Sequence, residues 1–176
     1  MEKRHLFFIS CALVLWGVWA RLMPHVPNAT PVTAIAITGS IYLGKRWAVI
    51  LPTLVLALSD LVIGFYDWRI MLSVYGSFVI IGCVSWLTRT RNTPVPVGFN
   101  VLASSVLFFL VTNGAVWAFS PWYEKSFSGL LYAYELGVPF MRNMFVGDII
   151  YTIALVAVFE CAFAISALPR LSVRAA

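Results

Sequence analysis

Charge is scarce in this chain. Asp, Glu, Lys and Arg together make up 11% of its 176 positions, against about 25% in soluble globular domains. Histidine occurs only twice, as His5 and His25, which excludes a multi-histidine metal site. The three cysteines, Cys11, Cys83 and Cys161, each lie inside an apolar run, and that placement argues against a disulfide framework. No Walker A sequence, HExxH, GxSxG or CxxC pair occurs, so neither an ATPase nor a familiar hydrolase is encoded. A stretch of soluble-domain length is missing too, and residues 1–176 read as a single integral membrane domain with no enzymatic activity of its own.

What is present is hydrophobic, at 61% of the chain. Apolar runs near the length of about 20 residues that crosses a hydrocarbon core of about 30 Å recur throughout. They predict an all-α membrane protein with six transmembrane helices at about 5–20, 31–44, 47–66, 70–88, 98–119 and 142–168. The start has the basic and apolar parts of a signal peptide but no small-x-small cleavage site, and reads as a retained first helix. With the N-terminus in the cytoplasm, Lys3, Arg4, Lys45, Arg46, Arg89, Arg91, Arg170 and Arg174 fall inside and Arg21, Arg69, Lys125 and Arg142 outside. That bias predicts a multi-pass protein of the bacterial inner membrane, N-in and C-in. It also accounts for the net charge of +5 without any nucleic-acid partner.

The segment Arg21 to Gly44 organises the rest. Pro24, Pro27 and Pro31 stiffen a polar loop that feeds a helix of only about 14 residues, roughly 21 Å and too short for the core. The loop therefore dips inward, and irregular backbone at that depth needs protein or a wet cavity to satisfy it. Ala36, Ser40 and Gly44 form a small-residue stripe on the short helix, suited to close packing within the bundle or to docking a partner. Between the fifth and sixth spans, Ser120 to Met141 is too interrupted to cross, and predicts an additional outer-face helix with Gly129, Ala133 and Gly137 on one stripe.

Polar and aromatic groups concentrate towards the outer side. The candidate ring comprises His25, Asn28, Thr30, Thr33, Asp60, Asp67, Arg69, Tyr75, Asn113, Trp117, Tyr132, Tyr134, Arg142, Asn143 and Asp148. Asp60 and Asp148 are intramembrane carboxylates, which mark functional sites by default, although Asp60 could equally pair with Arg21. A mostly apolar pocket with converging polar groups suits a small organic solute loaded from outside. The less polar inner half fits a channel poorly. Cys83, beside Gly82, is either an inert small hydrophobe or a soft ligand to a metal carried within a cofactor.

The order of a proline-rich outer loop, short second helix, Lys45-Arg46 turn and third helix ending Ser59-Asp60-x-x-x-Gly64 resembles the substrate-binding S-components of energy-coupling-factor vitamin transporters. Arg21 to Ala34 (RLMPHVPNATPVTA), Thr112 to Trp117 and Pro139 to Asp148 are similar to small bacterial membrane proteins of that type. The resemblance implies capture of a vitamin from outside, membrane lipid as surroundings, and in the usual system an ATP-driven energising module. Such proteins commonly dock that module through Ala-x-x-x-Ala on the first helix, and this chain has no such motif anywhere. It is in this respect closer to the solitary cobalamin transporters. That likeness implies cobalamin as the transported ligand, with no tightly bound catalytic cofactor. Cys83 would be the cobalt ligand, with His25 its rival. The alternative reading is a scaffold or assembly subunit that docks a partner through its small-residue stripes.

Overall fold

The computed structural model describes residues 3–88 and 95–167, all of whose regular structure is helical. The arginines at 89, 91, 170 and 174, used above in the charge count, lie outside the described residues. The elements are α1 (Lys3–Leu22), α2 (Val32–Thr38) running on into a π-helical segment (Gly39–Leu43), α3 (Trp47–Ile63), α4 (Trp68–Leu87), α5 (Val95–Phe119) and α6 (Phe127–Ala167). Four stretches are long and apolar enough to cross a membrane: His5–Leu22, Trp68–Leu87, Pro96–Phe119 and Phe127–Ala164. Val32–Leu43 and Trp47–Ile63 are apolar but shorter.

The shortest helix is at the centre. Every residue of α2 is buried, and it packs against α1, α3, α4, α5 and α6. Its sequence VTAIAIT explains this: a helix apolar all round has no face to give to water and is enclosed on every side. Two hydroxyls along α2 and its π-helical continuation bond within the turn, as Thr38 donates to the Ala34 carbonyl at 2.6 Å and Ser40 to that of Ile37 at 2.7 Å. The Ala36–Ser40 part of the small-residue stripe is fully buried, so it serves packing inside the bundle. Around this axis Val32, Ile35, Leu51, Val55, Leu56, Phe78 and Ile81 form the core. Large apolar side chains such as Leu15, Leu61, Leu72 and Ile153 face outward, each more than 60% exposed, as a surface in contact with lipid tails requires.

Close approach is built in where side chains are smallest. A Cβ on Gly82 of α4 would lie 2.5 Å from the Ala48 carbonyl oxygen of α3, so only glycine lets these backbones meet.

One expectation changes. The separate outer-face helix before the sixth span is instead the first part of a single 41-residue helix, α6, with Pro139 inside it. Proline removes one backbone donor and crowds the preceding turn. Neighbouring helices can compensate such a loss at membrane depth, and α6 has α5 alongside it through much of its length. Part of the Gly129–Ala133–Gly137 stripe serves that packing: Ala133 is buried, and a Cβ at Gly137 would lie 2.5 Å from Asn113 Oδ1, whereas Gly129 abuts the Glu124 backbone of the preceding turn. At 1.5 Å per residue, α6 is roughly 60 Å long, about twice the hydrocarbon core.

Candidate solute site beneath the proline-rich loop

The loop from Met23 to Pro31 closes one end of the bundle. Ala29 N donates to the Val26 carbonyl at 2.9 Å, and Asn28 has φ 65°. Proline followed by a residue of positive φ, with the i to i+3 bond closed, is the signature of a type II turn, and asparagine tolerates that position better than most side chains. The turn presses on α6, where a Cβ added to Gly147 would meet Ala29 Cα at 3.0 Å.

At the loop end of α1 stands an ionic cluster. Arg21 donates through Nη2 to Asp60 Oδ1 at 2.8 Å and through Nε to Ser59 Oγ at 2.7 Å. Tyr75 of α4 donates to the other Asp60 oxygen at 2.9 Å. Asp60 is almost fully buried and Arg21 keeps 19% of its side chain exposed. This is the one ion pair among the described residues, and it ties α1, α3 and α4 together. Of the two sequence readings of Asp60, partnership with Arg21 is the one observed.

Between this cluster and the loop lies a cavity of about 140 Å³. Its polar lining is Arg21, His25, Asn28 and Thr30, and its apolar lining is Ile63, Val74, Phe78, Phe108 and Met144. The Phe78 and Phe108 rings pack at 5.4 Å between centroids. His25 Nδ1 lies 2.7 Å from the Met23 carbonyl oxygen. A carbonyl can only accept, so in this contact Nδ1 carries a proton and donates. Arg21 has five N–H donors, and its bonds to Ser59 and Asp60 occupy only part of that fork. With the Asn28 amide and the Thr30 hydroxyl, both donors and acceptors line a space with apolar walls.

The predicted ring is only partly assembled here. His25, Asn28 and Thr30 line the cavity, and Tyr75 supports it through Asp60. Asp67 instead caps α4, accepting from Arg69 N at 2.8 Å, and the Arg69 guanidinium lies over Trp68 and Phe119 at 5.5 and 5.4 Å. Asn113 Nδ2 donates to the Phe109 carbonyl of its own helix. Trp117 Nε1 and Lys125 Nζ tie α5 to the turn that follows it, through the carbonyl oxygens of Glu124 and Trp117 respectively. Tyr134 donates to the Leu110 carbonyl at 2.9 Å, while Tyr132 meets Tyr123 edge to face. Arg142 is exposed and Asn143 half-buried. Thr33 and Asp148 are buried away from the cavity lining. Cys83 is exposed on α4, five residues beyond Phe78 and absent from the lining; no cluster of three or more His, Cys, Asp or Glu able to hold a metal ion exists among the described residues. Arg21 and the apolar wall complete the site without having been in the predicted ring.

A family described as "Family of unknown function (DUF6580)" matches residues 1–171. No curated protein and no solved structure matches the chain. The chain therefore belongs to the DUF6580 family.

Proposed function

We propose that this member of the DUF6580 family is a solute-binding membrane protein of S-component type, which captures a small vitamin or related micronutrient on the loop side. The observation that carries this reading is the half-open cavity beneath the Met23–Pro31 loop, where Arg21, His25, Asn28 and Thr30 meet an apolar wall from α3, α4, α5 and α6. A few converging polar groups on apolar walls are what orient and retain a small organic molecule. In this reading α2 and α3 complete six spans, the loop end faces outward, and the charge count sets N-in and C-in across the bacterial inner membrane.

The cavity size selects the class of solute. About 140 Å³ is close to the roughly 150 Å³ cavity that takes a benzene-sized guest, and below the 300–1,000 Å³ of sites for drug-sized ligands. A polar molecule of about ten heavy atoms or fewer fits this state. Because Asp60 offsets the Arg21 charge, a neutral or weakly acidic solute suits the site better than a cation. A corrin needs a far wider opening, and Cys83 would have to approach it from outside the cavity wall. Geometry thus favours a smaller solute over cobalamin. The scaffold alternative draws little support from the two small-residue stripes, since Ala36, Ser40 and Ala133 are buried inside the bundle.

The test is mass spectrometry of organic extracts from the protein purified out of its own membranes, followed by thermal-shift titration with small vitamins and their precursors. A co-purifying small molecule that raises the melting temperature supports the reading. No bound molecule together with no shift across the panel would overturn it.

A further inference from the structure

Asp148 is the least compensated charge in the bundle. It lies in α6 with 1% of its surface exposed, among Ser105 (0%), Thr33 (1%) and Thr152 (2%). Ser105 Oγ is 3.1 Å from Asp148 Oδ2 and also 3.1 Å from the Val101 carbonyl oxygen. Thr33 of α2 offers its hydroxyl to the same carboxyl. Asp148 Oδ1 and Thr152 Oγ1 have no hydrogen-bond partner. Two unpartnered buried oxygens one helical turn apart form an unusual pair, because buried polar groups are almost always satisfied.

Among the described residues no cation balances the carboxyl. The helices packed on this part of α6 are α2 and α5, with α1 touching it at Trp16; α2 and α5 carry no titratable side chain, and the titratable groups nearest Trp16 along α1 are Cys11 and Arg21. On α6 itself the neighbouring groups are Arg142, which is exposed, and Tyr151, whose ring meets Trp16. Glu160, farther along, is engaged by Tyr42 at 2.6 Å. In the loop that touches Gly147, His25 is exposed and bound to Met23. Arg21 is committed to Asp60. A bare carboxylate at such depth is strongly disfavoured unless something neutralises it.

The hydrogen-bond inventory points to the missing partner. A serine hydroxyl has one proton, so Ser105 cannot donate to both Val101 and Asp148. If Asp148 binds a proton, its carboxyl O–H donates to Ser105 Oγ and Ser105 donates to Val101, and every group in that chain is satisfied. If it binds sodium, Oδ1 and Thr152 Oγ1 supply the free oxygens that a hard cation prefers. Met144, one turn before Asp148, lines the solute cavity, and Gly147 bears the loop. Whatever occupies Asp148 therefore sits one turn from the solute.

We propose that Asp148, with Ser105, Thr33 and Thr152 around it, binds one monovalent cation, a proton or a sodium ion, whose uptake is linked to solute capture. The linkage rests on the solute-binding reading above; the cation site does not. The full chain in phosphatidylcholine–phosphatidylglycerol nanodiscs, without solute, tests the site. Infrared spectra in H2O and D2O read a protonated carboxyl as a C=O band that shifts on exchange. Melting under sodium titration against N-methylglucamine at constant ionic strength reads sodium. A wild-type carboxyl band lost in Asp148→Asn identifies the proton. A sodium-dependent rise in melting temperature, lost in Asp148→Asn and in Thr152→Val, identifies sodium. Neither response in the wild type overturns the proposal. If Asp148→Asn does not fold, Ser105→Ala replaces it: a shifted carboxyl band or a reduced sodium response supports the site, and no change in either overturns it. Cation binding with no solute binding leaves the site standing and defeats the solute reading. Solute binding with neither cation response defeats the site alone.

Discussion

Replacing Arg21 by methionine should destabilise the protein more than replacing its partner Asp60 by asparagine, although the two substitutions break the same ion pair. The asymmetry comes from depth. Asp60 is 2% exposed and Arg21 19%, so the arginine alone can turn its freed head towards water. Arg21→Met leaves the Asp60 carboxylate buried with only the Tyr75 hydroxyl at 2.9 Å. Removing one member of a buried pair in this way costs about 3–5 kcal/mol. Asp60→Asn keeps an acceptor for Tyr75 and leaves the Arg21 Nε bond to Ser59; the lost charge-assisted bond is worth about 1.5–3 kcal/mol. The double variant Arg21→Met/Asp60→Asn should be more stable than Arg21→Met, because the second change removes the charge that the first strands. Thermal unfolding in nanodiscs, followed by tryptophan fluorescence, reads all three, with the Arg21→Met decrease on the order of 10 °C if about 2–4 °C accompanies each kcal/mol. If the double variant is no more stable than Arg21→Met, Asp60 is not the buried charge described here and the reasoning fails.

Gly82→Ala should lower stability by about 1–3 kcal/mol, the usual cost of overpacking, since its methyl would lie 2.5 Å from the Ala48 carbonyl oxygen; an unchanged melting temperature would show that α3 and α4 are not in such contact. Val74→Phe fills part of the 140 Å³ cavity and should abolish the solute-induced thermal shift while leaving the unliganded stability within about 1–3 kcal/mol of wild type. Cys83→Ser should leave solute binding unchanged, because Cys83 is exposed and outside the cavity lining. A loss of affinity in the titration would place the binding surface elsewhere.

Helix positions were largely legible because each apolar run in this chain is bounded by prolines, glycines or charges. The Lys45-Arg46 turn separates the π-helical segment from α3, and Gly64 to Asp67 separates α3 from α4. The continuity of α6 was not legible, because Ser120 to Met141 reads as too interrupted to cross, and it takes the α5 surface alongside to make a helix running through Pro139 tolerable. At the site, His25, Asn28 and Thr30 stand out as polar residues in an apolar chain, and they line the cavity. The apolar wall does not stand out. Phe78 and Phe108 lie at the site, whereas Phe99 and Phe140 are exposed on the bundle surface, and nothing in local pattern distinguishes a residue facing solute from one facing lipid. Asp67 and Arg69 misled for a related reason: charges near a helix end also cap it and stack on its aromatics.

The enclosure of α2 has a consequence for how the protein is made. Val32–Leu43 is 12 residues long and carries Thr33, Thr38 and Ser40, so it is too short to span the bilayer unaided. The native resting place of α2 is a slot among α1, α3, α4, α5 and α6, of which four are synthesised after it. If the helices insert in chain order, this stretch lacks most of its walls until α4, α5 and α6 arrive. Truncation after α4 would leave the slot open on the α5 and α6 sides, and protease access to the Val32–Leu43 stretch in staged nascent chains would report when it closes.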